Sequence, residues 1–249
     1  MKKILLLAFL CCFTIGSYAQ KSAKVEEADK TTTGGLSKKL PKPKGRDRFL
    51  MELTHDNWLH DMDSLGVKTK WYSRGFNMLM MWDVPLLKSG AISVAPGLGL
   101  VNTNVFTNSL IHWNSDGRTE FSVIPDSLDY SKSKLAVTSL EVPVELRFRT
   151  NPKKGKAFKL AVGGRVGYVI SAHTKYKGDD YRTQFASPNT VKIKEAPVAN
   201  INRLKYGVTA RIGIGNFNLL GFYSLSKLFD TSKAPEITPF SIGIGLNSF

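Results

Sequence analysis

The stretch Leu140 to Arg149 reads Leu-Glu-Val-Pro-Val-Glu-Leu-Arg-Phe-Arg, and no other segment restricts the fold more tightly. Leu140, Val142, Val144, Leu146 and Phe148 alternate with Glu141, Pro143, Glu145, Arg147 and Arg149. Successive side chains of a strand point to opposite faces, so one face here is apolar and the other ionic. In a water-soluble sheet the apolar face would enter a core and the charges would meet solvent. A membrane barrel inverts this, with apolar residues toward lipid and polar ones toward the lumen. The rest of the chain decides between the two arrangements.

Seven further segments alternate in the same way. The first, about 48–57, sets Phe49, Met51 and Leu53 against Glu52 and Thr54. The second, 72–85, points Phe76, Met78, Met80, Trp82 and Val84 outward, with Leu79 and Met81 weakening its alternation. The third, 91–101, opposes Ile92, Val94, Pro96, Leu98 and Leu100 to Ser93, Ala95, Gly97 and Gly99; the fourth, 135–150, contains the opening stretch. The fifth, 157–171, sets Phe158, Leu160, Val162, Val166, Tyr168 and Ile170 against Lys159, Gly163, Arg165 and Gly167. The sixth is 203–215, the seventh 217–228 and the eighth 238–249. These lengths suit the ~9–11 residues of a tilted bilayer-crossing strand, and several exceed the ~5–6 of soluble sheets.

The connections separate into two kinds. Leu87-Lys88-Ser89-Gly90, Asn151–Gly155 and Gly215-Asn216 are short; 58–71, 102–134 and 172–202 are long, and 229–237 is intermediate. Short and long alternate throughout, as periplasmic turns and extracellular loops do in outer-membrane barrels. The expected fold is all-β: an eight-stranded antiparallel up-and-down transmembrane β-barrel of the outer-membrane type, with both termini on the short-turn side.

The N-terminus carries its own address. Lys2 and Lys3 precede an apolar run from Ile4 to Ile15, and Ser17-Tyr18-Ala19 forms a small-x-small cleavage site. Residues 1–19 are therefore read as a signal peptide cut after Ala19, residues 20–47 as a flexible periplasmic tail, and 48–249 as the barrel. Cys11 and Cys12, the only cysteines, leave with the signal peptide, so neither disulfide nor thiol chemistry is expected. The net charge is +15 and the pI about 9.8. Export argues against nucleic acid as a partner. The lysines read as dispersed over the tail, turns and loops, with no basic-aromatic cluster on one set of strands, and so as solvated surface touching anionic lipid headgroups.

On the polar faces of the strands lie Glu52, Glu141, Glu145, Arg147, Lys159, Arg165, Lys205 and Arg211. An eight-stranded barrel has room for side chains and little else. The expectation is an interior salt-bridge network that plugs the lumen and fixes strand register, in preference to an ion pathway. His55, His60, His112 and His173 fall at or beyond the outer rim; His55-Asp56, His60-Asp61 and Asp63 are close in sequence but lack zinc-type spacing, and read as solvated loop residues. His112 and Ser115 are the best base and nucleophile for lipid-modifying chemistry, yet their spacing matches no catalytic signature. No catalytic residue, cofactor or metal site is assigned. Trp58, Trp71 and Trp113 are expected in an outer aromatic belt and Trp82 in an inner one.

The Ala19-Gln20 end of the signal peptide, the segments LEVPVELRFR (140–149) and GFYSLSKLF (221–229), and the glycine-alternating FSIGIGLNSF (240–249) resemble the PorT-like outer-membrane β-barrel proteins of Bacteroidetes. The resemblance covers most of 48–249. It implies an eight-stranded outer-membrane barrel and, for one class of members, a part in gliding and protein secretion. Phe249 resembles the terminal aromatic read by the barrel-assembly machinery, although it is out of phase with Phe240, Ile242, Ile244 and Leu246. The partners expected are outer-membrane lipid, that machinery, and an envelope or secretion protein. The functional expectation is a non-enzymatic structural or interaction protein acting through its loops. A narrow pore for small solutes and an outer-membrane lipid-modifying enzyme are the alternatives.

Overall fold

The computed structural model describes residues 46–60, 65–150, 158–182 and 190–246. The strands are β1 (Arg46–His60), β2 (Arg74–Pro85), β3 (Ile92–Phe106), β4 (Ser109–Trp113), β5 (Thr119–Val123), β6 (Tyr130–Arg149), β7 (Phe158–Asp179), β8 (Thr190–Glu195), β9 (Leu204–Ile214), β10 (Phe217–Ser224) and β11 (Ile237–Leu246). Eight of them form a closed antiparallel ring in the order β1-β2-β3-β6-β7-β9-β10-β11, with β11 returning to pair with β1. Closure leaves no sheet edge within the ring.

The alternation read from the sequence sets which way each side chain faces. On β2, Phe76, Met78, Met80, Trp82 and Val84 are exposed on the outside while Asn77, Leu79, Met81 and Asp83 are buried within. On β9, Leu204, Tyr206, Val208, Ile212 and Ile214 face out and Thr209 and Arg211 face in. The outer surface is thus an unbroken apolar wall and the lumen holds the charges. Water would oppose both arrangements, whereas lipid outside and a sealed interior favour both.

Leu79 and Met81, which look like faults in the pattern, have a place of their own. They point into the lumen with Leu50, Ala95 and Val101 and form an apolar wedge on the β1–β2–β3 wall. Gly97 and Gly99 on β3 make the space. A Cβ at Gly99 would lie 2.2 Å from Leu79 Cδ2, and one at Gly97 would lie 2.8 Å from Met81 Cγ.

The strands run farther than the sequence suggests. Pairing of β1 with β2 begins at Arg46, opposite Asp83, two residues before the expected barrel boundary at residue 48. β3, β6 and β7 rise well past the apolar wall, and the long connections are not plain loops. The β3–β6 connection folds into the β4–β5 hairpin, and the β7–β9 connection supplies β8, which pairs with the upper part of β7. Between Thr138 and Ser139 the β6–β7 register shifts by one residue on β7. Such a bulge moves every later β7 side chain to the other face. The signal peptide, the tail up to residue 45 and Phe249 lie outside the described residues.

Candidate functional site: lumen, cap and outer rim

The lumen network is built from strands far apart in sequence. Glu52 on β1 accepts from Arg211 Nη2 on β9 (2.6 Å), from Arg165 Nη2 on β7 (3.3 Å) and from Asn77 Nδ2 on β2 (3.0 Å). Arg211 Nη2 also reaches Glu145 on β6 (3.0 Å). Glu145 accepts from Arg147 through Nε and Nη2, both at 3.0 Å. Arg147 Nη1 lies 3.5 Å from Asp83 Oδ1, and Arg149 Nη2 donates to Asp83 Oδ2 at 2.6 Å. One chain of charge-assisted contacts therefore crosses the barrel from β1 to β9, β6 and β2. Arg165 also stacks over the Phe222 ring, 5.6 Å from its centroid.

A second pair sits nearer the outer end, where Lys205 Nζ donates to Glu141 Oε1 at 2.9 Å and Ser139 Oγ reaches the same oxygen at 2.7 Å. Lys159 is on the inner face as the sequence places it, but Nζ donates to the Gly215 carbonyl at 2.7 Å, at the short β9–β10 turn. Asp83, Arg149 and Asn77 also belong to the network; Arg149 stands on the ionic face of the opening stretch but is not in the expected lumen set, and Asp83 and Asn77 do not stand out in the sequence. The strand phase could have found Asp83, which shares parity with Leu79 and Met81.

Above the charges lies a small cavity of about 30 Å3, lined in part by Asp56, Trp58, Lys205, Phe222 and Ser224, enough for bound water. Asp56 is buried, accepting from Thr54 Oγ1 and Ser241 Oγ at 2.8 Å each and from the Asn104 amide at 3.3 Å. It is no solvated loop residue. His55 faces outward on the same strand, so the two cannot share a ligand. The His60 side chain, Asp61 and Asp63 lie outside the described residues, among which no group of three His, Cys, Asp or Glu could hold a metal.

Above the cavity the interior becomes apolar. Trp58, Val67, Val105, Ile111, Phe121, Leu135, Val137, Val169, Ala172, Val198, Phe229 and Ile237 form one buried cluster. Phe121 of the β4–β5 hairpin packs edge-on against Trp58 (6.2 Å between centroids) and against Phe229 of the β10–β11 connection (5.9 Å). Trp58 is therefore a core residue, 6% exposed, and no part of an aromatic belt. Its position at the upper end of β1, on the inward parity of Glu52 and Thr54, explains the correction.

Polar contacts tie the same loops together. Thr119 N donates to Lys233 O at 2.8 Å and Asp230 N to Asn200 O at 2.8 Å. Asn200 Nδ2 reaches Gly117 O at 2.8 Å, and Asn202 Nδ2 reaches Phe229 O at 2.8 Å. The β1–β2 connection joins them, with Val67 in the cluster and Lys68 O accepting from the Asn108 amide at 3.2 Å, so that it, the hairpin, the β7–β9 connection and the β10–β11 connection make a single cap over the barrel mouth. Trp71 (82% exposed) and Trp113 (49%) stand on its surface. His112 lies 3.9 Å from Glu120 across the hairpin, both largely exposed, and Ser115 sits in the hairpin turn.

The outer rim corrects the reading of the lysines. Lys132, Lys134, Lys175, Lys177, Lys192 and Lys194 are gathered on the upper parts of β6, β7 and β8. Burial and the neighbouring Lys132, Lys175 and Arg74 hold the Lys134 ammonium below its ordinary range. His173, at the foot of the same ribbon, is likewise held below the usual imidazole value by burial and by Lys194, Lys134 and Lys175.

A family model described as an outer membrane protein beta-barrel domain matches residues 72–230. The chain belongs to this family. Its place is accordingly the outer membrane. Solved structures similar to this barrel include Ail, the attachment invasion locus protein of Yersinia pestis, at 14% identity and a TM-score of 0.35, over 82% of this chain and 98% of that one. The same protein in complex with the heparin analogue sucrose octasulfate aligns at 15% identity and a TM-score of 0.34, over the same shares. No curated protein sequence matches the chain.

Proposed function

We propose that this barrel is a non-enzymatic structural or interaction protein of the outer membrane, whose cap is a fixed docking platform for an envelope or secretion protein. The construction of the cap carries the reading. Four loops from different parts of the chain share one buried core and exchange backbone hydrogen bonds. Loops that only joined strands would need no common core. Loops positioned by a rigid scaffold are where such proteins recognise partners, and exposed Trp71 and Trp113 are of the type enriched at interface centres.

The lumen supports a non-conducting barrel over a narrow pore. Its charges are matched to one another at hydrogen-bond distance, and the apolar cluster lies across the outer end of the path. The finer placement among PorT-like barrels rests on the motifs at 140–149, 221–229 and 240–249, and with it go cleavage after Ala19, the periplasmic tail 20–47 and recognition of Phe249 by the assembly machinery.

Cross-linking in intact outer membranes followed by purification should yield a stoichiometric envelope protein with the wild type and much less with Trp71→Ala/Trp113→Ala. Recovery of the barrel alone would sink the docking role. In planar bilayers the purified protein should give no steady conductance, and openings abolished by Glu145→Gln would overturn the sealed lumen. Edman sequencing of the exported protein should begin at Gln20.

A further inference from the structure

The upper ends of β6, β7 and β8 form a three-stranded ribbon above the apolar wall. Across it Lys132 faces Lys177, which faces Lys192; one pair of residues lower, Lys134 faces Lys175, which faces Lys194. Directly opposed residues of antiparallel strands share a face, and like charges in that position repel. Six ammonium groups thus stand in two rows of three over an area of about 10 by 7 Å, from the strand and residue spacings. The reverse face carries Ser133, Tyr176, Ile193 and Glu195 instead.

The bulge decides where the grid points. Below it, even-numbered β7 residues such as Tyr168 and Ile170 face out to lipid. Above it, His173, Lys175 and Lys177 take that outward face, opposite Ala136, Lys134 and Lys132, which continue the outward phase of Leu140 and Val142. Without the extra residue the β7 lysines would point toward the cap interior. The grid therefore lies on the outward face of the same strands as the lipid-facing wall, above it and separated from Leu140 and Ile170 by Thr138, Ala136 and His173.

Among the described residues no carboxylate lies within ion-pair distance of any of the six lysines. Asp179, at the ribbon tip, is occupied in accepting the Asp129 amide at 2.9 Å. Lys134 Nζ donates to Asn104 Oδ1 at 2.5 Å, and Lys70 lies over the Tyr130 ring at 4.3 Å, adding a further cation beside the patch.

We propose that this ribbon face binds the phosphate groups of a phosphorylated, acylated saccharide of the outer leaflet, whose acyl chains lie on the wall formed by Leu140, Tyr168 and Ile170. The ligand's anionic head supplies the counter-charge that the grid lacks, and its tails reach the apolar surface farther down the same strands. The lysines of the site lie on β6, β7 and β8, apart from Trp113 on the β4–β5 hairpin, and Trp71, which follows Lys70 beside the patch, is not among the residues substituted in the test.

The test uses the full chain in zwitterionic detergent, titrated with bisphosphorylated lipid A, with the same lipid stripped of phosphate, with inorganic phosphate and with dextran sulfate. Bisphosphorylated lipid A should bind at least tenfold more tightly than the phosphate-free form. Each lysine near an anionic headgroup is worth about fivefold, so Lys175→Gln/Lys192→Gln/Lys194→Gln should weaken binding roughly a hundredfold. The corresponding Arg triple should retain it. Lys192→Gln/Lys194→Gln, confined to the edge strand β8, carries the test should the triple fail to migrate as a folded barrel. Equal affinity with and without phosphate, or unchanged binding by the Gln variants, would overturn the proposal. So would displacement of the lipid by equimolar inorganic phosphate, or lysine-dependent binding of dextran sulfate alone.

Discussion

The lower lumen and the cap are both dry interiors of one barrel, and they are filled with opposite chemistry. Toward the short turns, Glu52, Glu145 and Asp83 are interleaved with Arg147, Arg149, Arg165 and Arg211. Toward the long loops, Trp58, Phe121, Phe229 and Ile237 exclude polar groups. Ion pairs are directional and depend on exact partners, so a one-residue slip of any wall strand would turn a matched charge into lipid and an apolar side chain into the network. Apolar packing is non-directional, and it gathers loops whose backbones follow no common period. The lower region specifies one closed register, and the upper region brings unlike loops into one body.

The first test of that division sets two substitutions side by side. Glu52→Ala removes the carboxylate shared by Arg165 and Arg211 and should cost about 3–5 kcal/mol, seen in urea unfolding from vesicles as a lower midpoint for the whole barrel. Phe229→Ala should cost about as much locally, ~3–5 kcal/mol. Its loss should appear as faster protease cleavage of the outer loops, with the barrel's heat-modifiable gel migration unchanged. If Phe229→Ala unfolds the barrel as readily as Glu52→Ala, the two regions are one cooperative unit and the division fails.

Val144→Arg probes the outside of the same wall. It should cost about 2–4 kcal/mol if Val144 sits at the bilayer midplane, and an unchanged unfolding midpoint would place it elsewhere. The smallest effect concerns the rim. His173 has a depressed folded value, so as pH falls through about 6.5 the unfolded chain takes up a proton that the folded one does not. Stability present above that range is then lost toward the lower folded value. An NMR titration of the His173 ring should give a midpoint below that of an unstructured peptide, and His173→Gln should remove its share of the acid sensitivity.

The wall was readable because a transmembrane strand repeats a period of two, which survives without any knowledge of its neighbours. That period places Glu52, Glu141, Glu145, Arg147, Arg165, Lys205 and Arg211 inside, where the structure has them. The cap was not readable, because Phe121 and Phe229 acquire meaning only when two loops meet. Trp58 was misread since a tryptophan near a strand end suits a belt as well as a core. The lysine grid was hidden by one bulge. Counted from Tyr168, Lys175 and Lys177 have the phase of inward residues, and only the register shift at Thr138/Ser139 reverses it.

The pairing of β1 with β11 sets the order of events in assembly. Met51 is paired with Leu246, and Asp56 meets Ser241, so the ring joins the first described strand to the last. Such long-range closure is entropically slow and gives no return until the chain is complete. A chain stopped before Ile237 would leave β1 and β10 as two bare edges and Asp56 without its Ser241 donor. Premature termination would therefore yield no smaller barrel, only a periplasmic chain held open for chaperones and proteases to sort.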